Sequence, residues 1–147
     1  MNVLKIQTDI LKGLIKGGEP IYTTEKDGMV GLCPDKYCVV FCPNRDVYLK
    51  LSGTPVDIEK VLNKVKDAEY ILSESFHCFY YKLDGKETKI MRLLSAERSA
   101  CIQEKYTKYF GKDALYYVSG WNRPVCVYEQ GQMVGMIFTI LIRGEEK

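Results

Sequence analysis

An α+β fold built on antiparallel sheets is what this sequence predicts, on three observations. Short apolar or alternating runs recur along most of the chain, separated by compact turn signals such as Lys26-Asp27-Gly28 and Asp84-Gly85. Two or three longer stretches carry helical spacing and helix-capping residues instead. Eleven tyrosines favour strands and half-wet surfaces. The 147 residues fit one domain, 1–147. A chain of this size buries roughly 68–70% of its unfolded surface, enough for a core without covalent staples.

The elements follow in order. Val3 to Ile6 reads as a short strand. A helix begins at Thr8, a suitable N-cap, with Ile10, Leu11, Leu14 and Ile15 on one face, and ends at Gly17-Gly18. A meander is expected next, with strands at Ile21–Thr24, Met29–Cys33, Tyr37–Cys42 and Val47–Leu51. Tyr37–Cys42 is apolar on both faces and reads as a central strand. Thr54-Pro55-Val56-Asp57 opens a helix expected to run to Tyr70. Ser75–Leu83 and Thr88–Leu94 are strands joined at Asp84-Gly85. Ser95 then caps a predicted helix over Ala96–Phe110. Strands at Ala114–Ser119, Pro124–Glu129 and Met133–Ile142 complete the chain, and Arg143–Lys147 form a charged, frayed tail. Met29-Val30-Gly31-Leu32 is echoed by Met133-Val134-Gly135-Met136. With the matching order of elements, the echo suggests a duplicated βαβββ unit.

Composition narrows the function classes. Net charge is only +2, so a nucleic-acid role requires basic residues gathered on one face. The N-terminal stretch is broken by Lys5, Asp9 and Lys12, unlike a signal peptide, and the longest apolar run is too short to span a bilayer. The chain is therefore expected to be cytoplasmic, without membrane association, and its six cysteines to be reduced thiols.

Cys33, Cys38, Cys42, His77 and Cys78 invite a zinc reading, but their spacing is not that of metal knuckles, and core packing is the better expectation. His77 and Cys78 are strand neighbours that point to opposite faces, so they form no dyad. The carboxylates are scattered, and no glycine loop has a strand–helix context for phosphate. Neither a catalytic group nor a cofactor or metal is expected. Trp121 is read as folded back over a sheet more readily than as an exposed anchor. The remaining constellation is basic. Lys12 and Lys16 lie one turn apart on the first helix, and Arg98, Lys105 and Lys108 fall on the predicted second one. On one side they would form a strip for a phosphate backbone, although lysines on the wet face of a helix are ordinary.

The stretches Asn2–Leu11, Ser95–Gly111, Ala114–Gly120 and Met136–Arg143 together resemble a DNA sliding-clamp domain in the order of their elements. The resemblance implies paired βαβββ units, with helices carrying Lys12, Lys16, Arg98, Lys105 and Lys108 toward double-stranded DNA. It further implies a role in replication or in a phage or mobile element, and assembly of several copies into a ring. This chain departs from the family in having one such domain and an added helix at Pro55–Tyr70. The alternative expectation is a protein-interaction or homo-oligomeric module that uses exposed tyrosines and sheet edges.

Overall fold

The computed structural model describes residues 1–142. Helix α1 (Val3–Ile15) opens the chain and is capped by Asn2, whose side chain accepts from the Lys5 N–H. The predicted strand at Val3–Ile6 is therefore the first turn of the helix, and Thr8 is an internal residue whose hydroxyl donates to the Leu4 carbonyl. The starting position matters because it buries Ile6 with Ile10, while Ile15 stays 77% exposed.

Strands β1 (Ile21–Tyr22), β2 (Met29–Asp35) and β3 (Cys38–Pro43) form the expected meander. The stretch Val47–Leu51 adds no strand. Helix α2 covers only Ile58–Leu62, with Asp57 as its cap, and falls short of the predicted Pro55–Tyr70. Upstream, Val56 is held extended by exchanging backbone hydrogen bonds with Tyr22 and Thr24. Downstream, turns take over, and Asp67 adopts a left-handed backbone.

Strands β4 (Ile71–Leu72), β5 (Ser75–Leu83), β6 (Lys86–Ser95) and β7 (Arg98–Gln103) come next, then a 3-10 helix over Glu104–Tyr109. The predicted helix Ala96–Phe110 is thus mostly strand. Ser95 ends β6, and Ala96-Glu97 is a hairpin turn with Ala96 at φ 49°. Ala100, Cys101, Ile102 and Gln103 are buried consecutively, which a sheet covered on both faces satisfies and a half-exposed helix does not. Strands β8 (Leu115–Val118), β9 (Val125–Glu129) and β10 (Gln132–Ile137) close the order. The α+β class with antiparallel sheets holds. Neither βαβββ unit forms among the described residues: the opening strand of the first is the start of α1, and the helix of the second is β7 with the 3-10 helix after it.

Seven strands make one sheet in the order β1-β2-β3-β10-β9-β8-β4, and three make another in the order β5-β6-β7. Both are antiparallel. The main core lies between α1, the large sheet and the inner face of the small one, where Ile6, Leu32, Val40, Leu93, Ile102, Val118 and Val127 meet. The sequence echo has a packing meaning. β2 and β10 flank β3 on its two sides, and a Cβ on Gly31 or Gly135 would come within 2.8 Å or 2.7 Å of Val39 atoms. Each glycine lets its strand approach β3 closely.

Cys38 and Cys42 are fully buried in that core, as packing residues. Burial pushes the Cys42 and Cys126 thiols up to about 11 and, helped by Asp35, the Cys33 thiol up to about 12. Trp121 is half-buried. The tail Arg143–Lys147 lies outside the described residues. No helix among them is long and apolar enough to cross a membrane.

Candidate functional site

The most exposed regular element is β5. Its turn to β6, Asp84-Gly85, has positive φ at both residues (51° and 79°), the geometry of a tight two-residue hairpin. Pairing is continuous from Leu83↔Lys86 to Ser75↔Leu94. A two-residue turn makes Leu83–Lys86 the closing hydrogen-bonded pair. Alternation then directs the backbone groups of Tyr81, Phe79 and His77 inward to β6 and those of Lys82, Tyr80, Cys78 and Phe76 outward.

Those outward groups meet no strand among the described residues, because β5 is the edge of its sheet. Side chains alternate in step with this. Phe79, Tyr81 and Leu83 pack with Ile90, Cys101, Ile140 and Ile142 on one face. Arg92 lies over the Phe79 ring, at 5.3 Å from its centre. On the other face Phe76 and Tyr80 stand 61% and 65% exposed, with Cys78 between them. A groove of about 300 Å³ continues this face, where Phe76 adjoins Leu72 and Leu115, themselves 40% and 47% exposed. A nine-residue edge strand whose outward backbone groups meet no strand among the described residues, with an apolar flank, is a template for strand addition. His77 and Cys78 lie on opposite faces of β5, so they do not converge.

A larger cleft of about 620 Å³ opens between α1, the turn after β2 and the β5–β6 hairpin tip. Lys36, Lys86 and Lys105 are balanced there by Glu19, Asp35 and Asp84. Asp35 accepts from the Tyr106 hydroxyl at 2.5 Å and the Tyr37 N–H at 2.8 Å, with the Lys105 ammonium 4.0 Å away. The charges cancel, and the cleft presents no single-sign field.

The five sequence-predicted basic residues separate into groups. Lys12 lies on α1 and Lys16 caps its C-terminal end, in the same row as Lys5 and Asp9. Lys108 joins that row by a 3.2 Å ion pair with Asp9, and Lys5 pairs with the same carboxylate at 3.4 Å. Burial opposes the Asp9 charge, but the Tyr109 hydroxyl and the two ammonium groups outweigh it and hold its pKa below the ordinary carboxylate value. Lys105 belongs to the cleft. Arg98 sits at the opposite end of β7, donating to the Glu69 carbonyl at 2.6 Å and pairing with its carboxylate at 3.4 Å. Three of the five thus share one side, where Lys108 pairs with Asp9. Sequence reasoning placed the β5 strand correctly but not its edge position, because strand order is set by contacts remote in the chain.

Comparison with family models, with curated proteins and with solved structures finds no match to this chain.

Proposed function

We propose that this protein is a non-enzymatic binding module whose working surface is the outer edge of β5, where it takes up an extended protein segment by strand addition. The observation that carries this reading is the row of outward backbone groups at Phe76, Cys78, Tyr80 and Lys82 beside exposed aromatic side chains. Main-chain hydrogen bonds would supply the affinity, and the groove beside Phe76 the preference for apolar side chains.

The test uses the edge itself. Proline at position 80 removes an outward N–H and leaves the β5–β6 ladder intact. A panel of fluorescent peptides with alternating apolar and polar residues, assayed at high dilution so that no other strand occupies the edge, should bind the wild type and lose most of that binding to Tyr80→Pro, read by anisotropy. Equal binding to both proteins would sink the reading.

A clamp-like domain on double-stranded DNA, linked to replication or a mobile element, is the competing proposal. It needs Lys12, Lys16, Arg98, Lys105 and Lys108 on one face. Arg98 stands apart from Lys105 by the length of β7, and three of the five carry carboxylate partners. Its support is the weaker.

A further inference from the structure

Resting on that reading of the β5 edge, we infer that the segment it takes up is β5 of a second copy of this chain, paired antiparallel about a two-fold axis through Phe79. The β5 edge is complementary to itself. A two-fold axis normal to the sheet keeps the faces of the two copies continuous, so it must pass through a residue position of β5. The candidates are Cys78, Phe79 and Tyr80.

Centring on Phe79 pairs Phe76 with Lys82 of the second copy and Cys78 with its Tyr80, and the reverse. All four outward-facing residues of each strand then form reciprocal pairs with two hydrogen bonds each. Centring on Cys78 leaves the outward groups of Lys82 facing Glu74, whose own N–H is already donated to the Leu94 carbonyl. Centring on Tyr80 carries Phe76 against Asp84, in the turn. Only the Phe79 register satisfies every outward group.

The side chains agree with it. Lys82 is the one charged residue of β5, and it falls across from an aromatic ring, not from its own copy. It also lies diagonal to Glu74 of the second copy, so the pairing puts opposite charges near each other. On the other face Phe79 meets Phe79 and His77 meets Tyr81, both aromatic pairs. The product is one continuous six-stranded sheet with β7 at each end and no exposed β5 edge.

Light scattering and disulfide trapping test this together. The wild type should show twice the 16.9 kDa chain mass and Tyr80→Pro the single mass. Phe79→Cys should cross-link to itself under mild oxidation, because position 79 faces its own copy across a non-hydrogen-bonded pair. His77→Cys combined with Tyr81→Cys gives the same readout if position 79 does not tolerate the change. Wild-type Cys78 should not cross-link, and cross-linking there would overturn the Phe79 register. A wild type of single mass, in a protein whose peptide binding is lost in Tyr80→Pro, overturns the self-pairing and leaves strand addition standing. A dimer that persists in Tyr80→Pro, with peptide binding unchanged, overturns both.

Discussion

β5 and β7 are the two edges of one sheet and share the same central strand, β6, yet they have opposite fates. β7 is buried along Ala100–Gln103, and its outer rim is claimed by the chain segment after β10, where the Ile140 N–H donates to the Cys101 carbonyl at 2.9 Å. β5 is longer, more aromatic and exposed over most of its length. The difference comes from chain path. After β10 the backbone crosses from the large sheet to the small one, bonding to the Tyr37 carbonyl through Phe138 on the way, and it reaches β7. An edge is made safe here by a returning segment, and β5 receives none among the described residues.

The sharpest way to break this contrast is to truncate one residue on each edge. Ile102→Ala on β7 removes a fully buried side chain and should cost about 2–5 kcal/mol in chemical denaturation. Tyr80→Ala on β5 should fall within about 0.5 kcal/mol of the wild type, as exposed positions do, when both are measured at concentrations low enough to keep the chain monomeric. Comparable losses at the two sites would mean that β5 is not a free edge.

A smaller effect concerns the acid that ties the basic row to the core. Tyr109 is 3% exposed and donates to Asp9 at 2.7 Å. Tyr109→Phe should cost about 0.5–1.5 kcal/mol at neutral pH, the net worth of a hydrogen bond. Because the folded pKa of Asp9 is depressed, its contribution is complete above the ordinary value of 3.8 and disappears as pH falls through the lower folded value. The penalty of Tyr109→Phe should therefore shrink on acidification below 3.8, followed by denaturation midpoints across pH. A penalty independent of pH would assign the hydrogen bond no share in the carboxylate's charge.

The smallest effect is kinetic and leaves stability untouched. Cys78 is exposed on β5, whereas Cys38, Cys42, Cys101 and Cys126 are buried. A thiol reagent should label Cys78 first, and dilution should speed that labelling as the edge becomes uncovered. A labelling rate independent of concentration would count against a covered edge.

The β5–β6 hairpin was legible in the sequence because its signals are local: alternation in Ser75–Leu83, and Asp-Gly at the turn. β3 was legible as a central strand because it is apolar on both faces, and its six residues do sit between β2 and β10. The helix expected over Ala96–Phe110 failed where a local signal and tertiary burial disagreed. Ser95-Ala96-Glu97 has the chemistry of a helix start, but Ala96 turns left-handed to fold β7 back on β6, where four successive side chains find cover. α1 is legible from its apolar face but its start is not, since both Asn2 and Thr8 have the chemistry of an N-cap and Asn2 is the one that caps. Of the basic residues, spacing correctly joined Lys12 to Lys16, while Arg98 was placed beside Lys105 only on the strength of that absent helix. The site itself is half legible: its residues read as a strand, and its exposure depends on where the segment after β10 goes.

The seam between β3 and β10 bears on the order of folding. It joins Val40 to Gly135 in the middle of the seven-stranded sheet, so the halves of that sheet cannot close until β10 has been synthesised. The β5-β6-β7 meander needs only short loops and is expected to nucleate earlier. A nascent chain would then offer two unpaired borders at once, the transient one at β3 and the lasting one at β5. Aggregation during expression should thus be most sensitive to conditions that delay the arrival of β10.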